Sequence, residues 1–208
     1  LEGIKIGLTK GRLAEGAIEL LTKAGIDCSP LEEKGRRLVF DLDNGRFQVI
    51  LLKAADVPTY VEHGVVDIGI VGKDVLLEEE KQLYEVLDLK FGKCKLAVAG
   101  KTHLQENFNK HLRVATKYPN IAKGYFASKG QSVEIIKQEG SVELAPLMGL
   151  TDVIVDIVET GKTLRANGLV VLEEITDITA RLVVNRVSYK TKNEGLLKLI
   201  SAIEKVAI

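Results

Sequence analysis

Tryptophan is absent from this 208-residue chain, and Phe and Tyr together make up 5% of it. A platform of aromatic rings for stacking nucleobases is therefore disfavoured. Nor is there an excess of charge of either sign: 29 Lys and Arg face 29 Asp and Glu, for a formal net charge of zero. Binding to nucleic acid or to a membrane surface as a main role would need a basic surplus, so neither is expected. Cys28 and Cys94 are the two cysteines. They form no C-x-x-C pair, and no His stands at ligand spacing from them, which points to reduced thiols in a cytosolic protein. No apolar run is long enough to cross a bilayer. The opening "LEGIKIGLTKGR" lacks the apolar core of an export signal and reads as a first strand. A cytoplasmic location is the expectation.

What is present is an ordinary globular composition, 46% hydrophobic and 28% charged. Short β-rich runs alternate with helical spacing. Residues 4–8 (IKIGL) predict a strand. Leu13, Ala17, Leu21 and Ala24 then repeat at helical intervals until Gly25. Runs 38–42 and 46–52 flank "DNG", a hairpin signal. Asp56 predicts a cap for a helix near Pro58 to His63, with a strand at 66–71, a helix at 73–81 and strands at 84–89 and 93–99. The second half predicts strands at 112–116, 133–137 and 152–158, with helices at 119–129, 142–149 and 163–167. Further strands are expected near 169–175 and 180–187. "TKNE" at 191–194 reads as a capping box opening a last helix, with Leu196, Ile200, Ile203 and Ala207 on its buried stripe. The alternation predicts an α/β protein with mainly parallel sheets. Two lobes joined by a double crossover are expected: residues 1–91 with 177–208, and residues 92–176.

Ligands of open α/β sheets bind beyond the carboxyl ends of the strands. Polar and Gly-containing stretches fall there repeatedly: Lys10-Gly11-Arg12, Lys53 with Asp56, Gly72-Lys73, Thr116-Lys117, Gly140-Ser141 with Glu143, and Glu159 to Thr163. Each alone is a routine turn. Together they suggest a cleft between the lobes, lined by basic and hydroxyl groups, for a phosphorylated small molecule. Within "DIVETGKTLRANG" (156–168), Thr160-Gly161-Lys162-Thr163 lies between a strand and a helix start. Unpaired N–H groups there suit a phosphate. A Walker A loop needs Gly five residues before Gly161, and Asp156 stands there instead. Ionised carboxylates can accept hydrogen bonds from vicinal hydroxyls. Asp156 and Glu159 ahead of this loop therefore read as a ribose-5-phosphate clamp. The competing reading is a capped helix start with surface acids, and spacing alone leaves both open.

The chain resembles the short form of the ATP phosphoribosyltransferase family of histidine biosynthesis. The resemblance rests on "LTKGRL" (8–13), "KAADVPTYVEHGVVDIGIVGKDVL" (53–76), "KLAVAG" (95–100), "RVATKYPNIAKGYF" (113–126), "GSVELAPLMGLTDVIVDIVETGKTLRANGL" (140–169) and "ARLVVN" (180–185). It implies two lobes like those of a type II periplasmic binding protein with the active site between them. The implied reaction transfers phosphoribosyl from phosphoribosyl pyrophosphate (PRPP) to N1 of ATP.

That nitrogen already carries a lone pair, so no strong base is needed, and His63 is expected to be structural. Charge gathers on the leaving pyrophosphate, where Mg²⁺ and basic side chains should dominate catalysis. The resemblance implies Lys10, Arg12 and Lys53 as the catalytic cations. Lys53 stands where many relatives carry Arg, and lysine keeps the charge but loses the bidentate fork. PRPP is expected on Asp152, Asp156, Glu159, Thr160, Gly161, Lys162 and Thr163, and ATP on Lys10, Gly11, Arg12, Gly72 and Glu143. Mg²⁺ is expected to bind mainly through substrate, with Asp156 as its candidate protein ligand. The short form further implies self-association to at least a dimer and a hetero-oligomer with a regulatory subunit related to histidyl-tRNA synthetase. The rival readings are a solute-binding module of the same fold and a phosphoribosyltransferase for another base.

Overall fold

The structure is a computed structural model that describes residues 3–32, 35–102 and 112–207, the side chains of Arg12 and Asn193 excepted. The chain divides into two compact units. One comprises Leu1–Gly92 and Thr179–Ile208, the other Lys93–Ile178.

In the first unit the described strands are β1 (Ile4–Thr9), β2 (Val39–Leu42), β3 (Phe47–Leu52), β4 (Ile68–Gly72), β5 (Tyr84–Asp88) and β11 (Ala180–Val184). The helices are α1 (Arg12–Lys23), α2 (Asp56–Glu62), α3 (Lys73–Glu79), α7 (Arg186–Thr191) and α8 (Asn193–Val206). The sheet runs β2-β3-β1-β4-β11-β5. Its centre is parallel, with β1 paired to β3 from Ile4↔Phe47 to Thr9↔Leu52 and to β4 from Ile6↔Ile68 to Leu8↔Ile70. Antiparallel strands extend it on either side. Helices cover the sheet, which is why Ile6, Leu8, Val49, Ile68 and Ile70 are all buried in one run after another. Ala14, Ala17, Leu20 and Leu21 form the buried stripe of α1. Leu196, Leu199 and Ile203 of α8 join the same core at intervals of three and four.

The second unit contains β6 (Cys94–Gly100), β7 (Leu112–Thr116), β8 (Val133–Lys137), β9 (Val153–Val158) and β10 (Val170–Ile178). Its helices are α4 (Pro119–Ser128), α5 (Leu144–Leu147) and α6 (Lys162–Ala166). Its sheet order is β10-β6-β9-β7-β8. β7 is parallel to both β8 and β9, while β6 and β10 add antiparallel strands. Both sheets are thus mixed: the first is parallel at its centre, and the second is parallel from β9 through β7 to its β8 edge and antiparallel on the other side.

Local structure departs from the sequence reading in three places. The strand expected to reach residue 187 stops at Val184, because the Asn185 side chain accepts from the N–H groups of Val187 (2.9 Å) and Ser188 (2.8 Å) and starts α7. The "TKNE" capping box does not form. Thr191 is the last residue of α7 and donates its hydroxyl to the Val187 carbonyl, while Glu194 pairs with Lys198 at 2.7 Å. Asp56 is the first helical residue of α2, following Ala55 as cap, and makes no side-chain capping bond.

Two charge centres organise the first unit, Asp67 buried and Asp88 half-buried. Asp67, 3% exposed, accepts from Lys5 N–H (2.8 Å), Ser188 hydroxyl (2.6 Å) and Lys192 Nζ (3.1 Å), tying β1, α7 and the start of α8 to the turn before β4. Asp88 lies where the chain leaves and re-enters this unit. It accepts from the N–H and Nζ of Lys90, both at 3.0 Å, and from the Thr179 hydroxyl at 2.8 Å, with Arg181 at 3.4 Å. Burial pushes its pKa up, but these hydrogen bonds and the Arg181 charge outweigh that and hold it at about 2.

Candidate active site

In the first unit, three neighbouring parallel strands end together. Lys10 and Gly11 follow β1, Lys53 follows β3, and Gly72 closes β4. The Lys10 N–H donates to the Leu52 carbonyl at 3.2 Å, so the segments carrying Lys10 and Lys53 lie side by side. Both lysines are exposed. Gly11 adopts φ 90 and ψ −157, a backbone shape a side chain rarely tolerates, and there the chain turns into α1. Arg12 is the first residue of α1, and its side chain lies outside the described residues. Gly72 matters for a different reason: a Cβ there would crowd Oδ1 of Asp74, which would have to move. Lys73 is held by Glu85 at 2.6 Å. His63, as the residue closing α2, has no place in this group.

A cleft of about 240 Å³ opens beside Lys10 and Gly11, and Arg36, Arg37, Leu38 and Leu51 complete much of its lining. The sequence reading passed over both arginines. They precede β2, which runs antiparallel to β3, so the beginning of β2 meets the end of β3. The Leu51 N–H donates to the Leu38 carbonyl at 2.8 Å and fixes this alignment. The basic pair in "GRRL" was the available signal, but only the strand pairing puts it beside Lys10. Arg37 lies over the Phe40 ring at 5.0 Å.

In the second unit, β7, β8 and β9 also end together. Thr116 is fully buried. Its hydroxyl donates to the Val155 carbonyl (2.6 Å) and accepts from the Tyr118 N–H (2.8 Å), which makes it a structural tie, with Lys117 exposed beside it. Glu143, half-buried, precedes α5 in the turn after β8. Asp156 is half-buried on β9 opposite Ala97 of β6. Strand alternation gives it the face of Ile154, which packs with Val142 before α5 and Leu164 of α6. Glu159 and Thr160 then lead into α6, whose cap Gly161 is left-handed at φ 66 and ψ 9. Lys162 N–H approaches the Thr160 hydroxyl at 3.4 Å, and Arg165 Nη2 donates to the Thr160 carbonyl at 2.9 Å. A cleft of about 270 Å³ adjoins the loop, lined by Glu159, Thr160, Gly161, Arg165 and the Lys95–Glu174 ion pair, which closes at 2.6 Å. The Glu174 carboxylate bonded to Lys95 holds that ammonium's pKa above its ordinary value.

Asp152 does not join this group. It precedes the amino end of β9, about 20 Å from the loop at roughly 3.3 Å per residue. It accepts from Arg113 N–H (2.9 Å), Nε (3.3 Å) and Nη2 (3.1 Å). The guanidinium bond first, with burial opposing, keeps its carboxyl below the usual range. Among the described residues no group of three or more His, Cys, Asp and Glu could by itself hold a metal ion. No helix among them is long and apolar enough to cross a membrane.

The family profile "HisG: ATP phosphoribosyltransferase" matches residues 53–205. The chain belongs to the ATP phosphoribosyltransferase family. An ATP phosphoribosyltransferase of Alkaliphilus metalliredigens is 66% identical over 200 residues, which cover 96% of each protein. The solved ATP phosphoribosyl transferase (HisG:HisZ) complex from Thermotoga maritima contains a chain that superposes with a TM-score of 0.85 at 38% identity, covering 98% of this chain and 97% of that one. The periplasmic aliphatic sulphonate binding protein SsuA of Escherichia coli shares the fold alone, with a TM-score of 0.61 at 13% identity, covering 100% of this chain and 69% of that one. The periplasmic-binding-protein architecture expected from the family resemblance is thereby found. The family match takes in Lys53, Gly72, Glu143 and all of 156–163, while Lys10, Gly11 and Arg12 precede it.

Proposed function

We infer that the chain transfers the phosphoribosyl group of PRPP to N1 of ATP, giving phosphoribosyl-ATP and pyrophosphate, the first step of histidine biosynthesis. The observation that carries this reading is 66% identity across 96% of the chain to an ATP phosphoribosyltransferase.

The loop Thr160-Gly161-Lys162-Thr163 is assigned the 5-phosphate of PRPP. Support comes from the left-handed Gly161 followed by helical Lys162, a sequence of conformations that turns successive N–H groups toward one anion. Asp156 and Glu159, three residues apart at the same strand end, are assigned the ribose hydroxyls. Asp152 is left out because its carboxylate is bonded to Arg113 at the far end of β9. Lys10, Arg12 and Lys53 are assigned the charge that develops on the leaving pyrophosphate, with Arg36 and Arg37 added because they line a cleft with Lys10. Gly11 and Gly72 allow close backbone approach on the ATP side, and Glu143 is assigned there too.

Mg²⁺ fits this donor set. A hard cation that keeps substrate phosphates and water needs one or two protein carboxylates, and Asp156 and Glu159 are such oxygen donors. When bound, it neutralises charge on the diphosphate as that group departs. The chain's own residues orient the sugar through the loop and aim cations at the diphosphate. We further infer a cytoplasmic location, self-association to at least a dimer, and a hetero-oligomer with a regulatory subunit related to histidyl-tRNA synthetase. The hetero-oligomer is supported by the Thermotoga maritima HisG:HisZ complex.

The test mixes the protein with ATP, PRPP and Mg²⁺ and follows the ultraviolet-absorbing adduct together with released pyrophosphate. Equal amounts of the two are expected. Efficient reaction of adenine, orotate or uracil in place of ATP would overturn the substrate assignment.

A further inference from the structure

The phosphate loop carries a carbonyl as well as N–H groups, and a carbonyl facing a phosphate would repel it. We propose that Arg165 is a positioning residue that fixes the direction of the Thr160–Gly161 peptide, so that the loop offers PRPP its N–H groups and hides this carbonyl. The proposal deepens the reading above and rests on the assignment of the loop to the 5-phosphate.

Four observations carry it. Arg165 Nη2 donates to the Thr160 carbonyl at 2.9 Å, a side-chain bond that folds the guanidinium back over the loop. No peptide in the described chain is cis. In a trans peptide the C=O and N–H point in opposite directions, so the Gly161 N–H is directed away from the guanidinium. Arg165 is itself anchored one turn on, its N–H donating to the Gly161 carbonyl at 3.0 Å, and a helical side chain leans toward the preceding turn. Finally, a Cβ on Gly161 would lie 3.0 Å from Arg165 Nη1, so the guanidinium packs close against the loop backbone at this glycine. Glu174, an acid across the same cleft, is engaged by Lys95 at 2.6 Å. Arg165 therefore need not touch substrate to matter. It holds a peptide whose other side does.

The test uses the full chain carrying Arg165→Met or Arg165→Lys. PRPP affinity is read by calorimetry, the KM for each substrate by the coupled assay, and folding by the melting temperature. Arg165→Met should weaken PRPP binding about tenfold, which is ~1.4 kcal/mol and within the range of one charge-assisted hydrogen bond. The KM for ATP should hold within twofold, the melting temperature should barely move, and Arg165→Lys should recover part of the PRPP affinity. PRPP affinity within twofold of the parent in Arg165→Met overturns the proposal. So does a parallel fall in ATP affinity and melting temperature, which would mark a merely structural residue. Amide exchange at residues 159–164 separates the two levels of inference. If PRPP slows exchange there in the parent yet Arg165→Met binds normally, the positioning role alone fails. If PRPP gives no protection in the parent, the loop assignment fails and the positioning role with it.

Discussion

Valine at position 161 would put two separate loads on the loop assigned to the 5-phosphate. The backbone there is left-handed at φ 66. An L-residue in that region costs roughly 1–2 kcal/mol, and a β-branched one tolerates it least. The added Cβ would also lie 3.0 Å from Arg165 Nη1 and 3.8 Å from Val158 Cγ1. The guanidinium end is flexible and can swing aside, so the steric load on folding is small, but swinging aside breaks the bond to the Thr160 carbonyl. We expect Gly161→Val to destabilise the fold by about 2 kcal/mol, or a melting temperature lower by roughly 4–8 °C for a chain of this size. PRPP affinity should fall further, by about 100-fold, as expected when one preorganised donor group is lost. Gly161→Asn is the companion variant, because Asn accepts the left-handed region at lower cost. It should fold nearly as well as the parent and bind PRPP with intermediate strength. Calorimetric titration with PRPP and thermal unfolding read the two effects separately. A Val variant that melts lower yet binds PRPP as tightly as the parent would show that the loop is a capped turn and nothing more, and the functional reasoning would fail.

Other consequences can be measured independently. Because Asp88 is held at about 2 against an ordinary value near 3.8, its contribution is present above pH 4 and is lost as pH falls from about 4 to 2. A quarter of the side chain is exposed, so screening leaves about 1–2 kcal/mol, and Asp88→Asn should flatten that part of an acid-unfolding curve. Asp67→Ala strands the Lys5 N–H, the Ser188 hydroxyl and Lys192, and should cost about 3 kcal/mol in urea unfolding. Lys53→Met should lower kcat by roughly 100-fold or more, as for loss of a well-aimed charged donor, while Lys53→Arg should keep most of it. An unchanged kcat in the Met variant would remove Lys53 from the catalytic set.

The features legible in the sequence were those with local causes. The apolar run expected at 152–158 is β9, Val153–Val158, buried on both faces from Val153 to Val155. "DNG" is a left-handed turn, with Asn44 at φ 54 and Gly45 at φ 84, between antiparallel β2 and β3. Residues 159–163, proposed to hold the phosphate, are contiguous, so their meeting needed no tertiary knowledge. Where local rules competed, they misled: "TKNE" satisfies a capping pattern, but Asn185 six residues earlier had already begun a helix that ends at Thr191.

The strand-end segments that gather at the candidate site were legible from the order of residues, because a strand that ends in polar and glycine residues marks its carboxyl end without help from the rest of the chain, while the chemistry proposed for them came from the family resemblance. Tertiary structure alone decided which strand ends are neighbours. Arg36 and Arg37 reach Lys10 through the antiparallel pairing of β2 with β3. Asp152, four residues before Asp156, is carried to the opposite end of β9 because each strand residue advances about 3.3 Å. Arg165 turns back onto the Thr160 carbonyl because one helical turn brings it there. Spacing along the chain specifies what a segment can do, and the direction in which strands and helices run specifies whom it does it with.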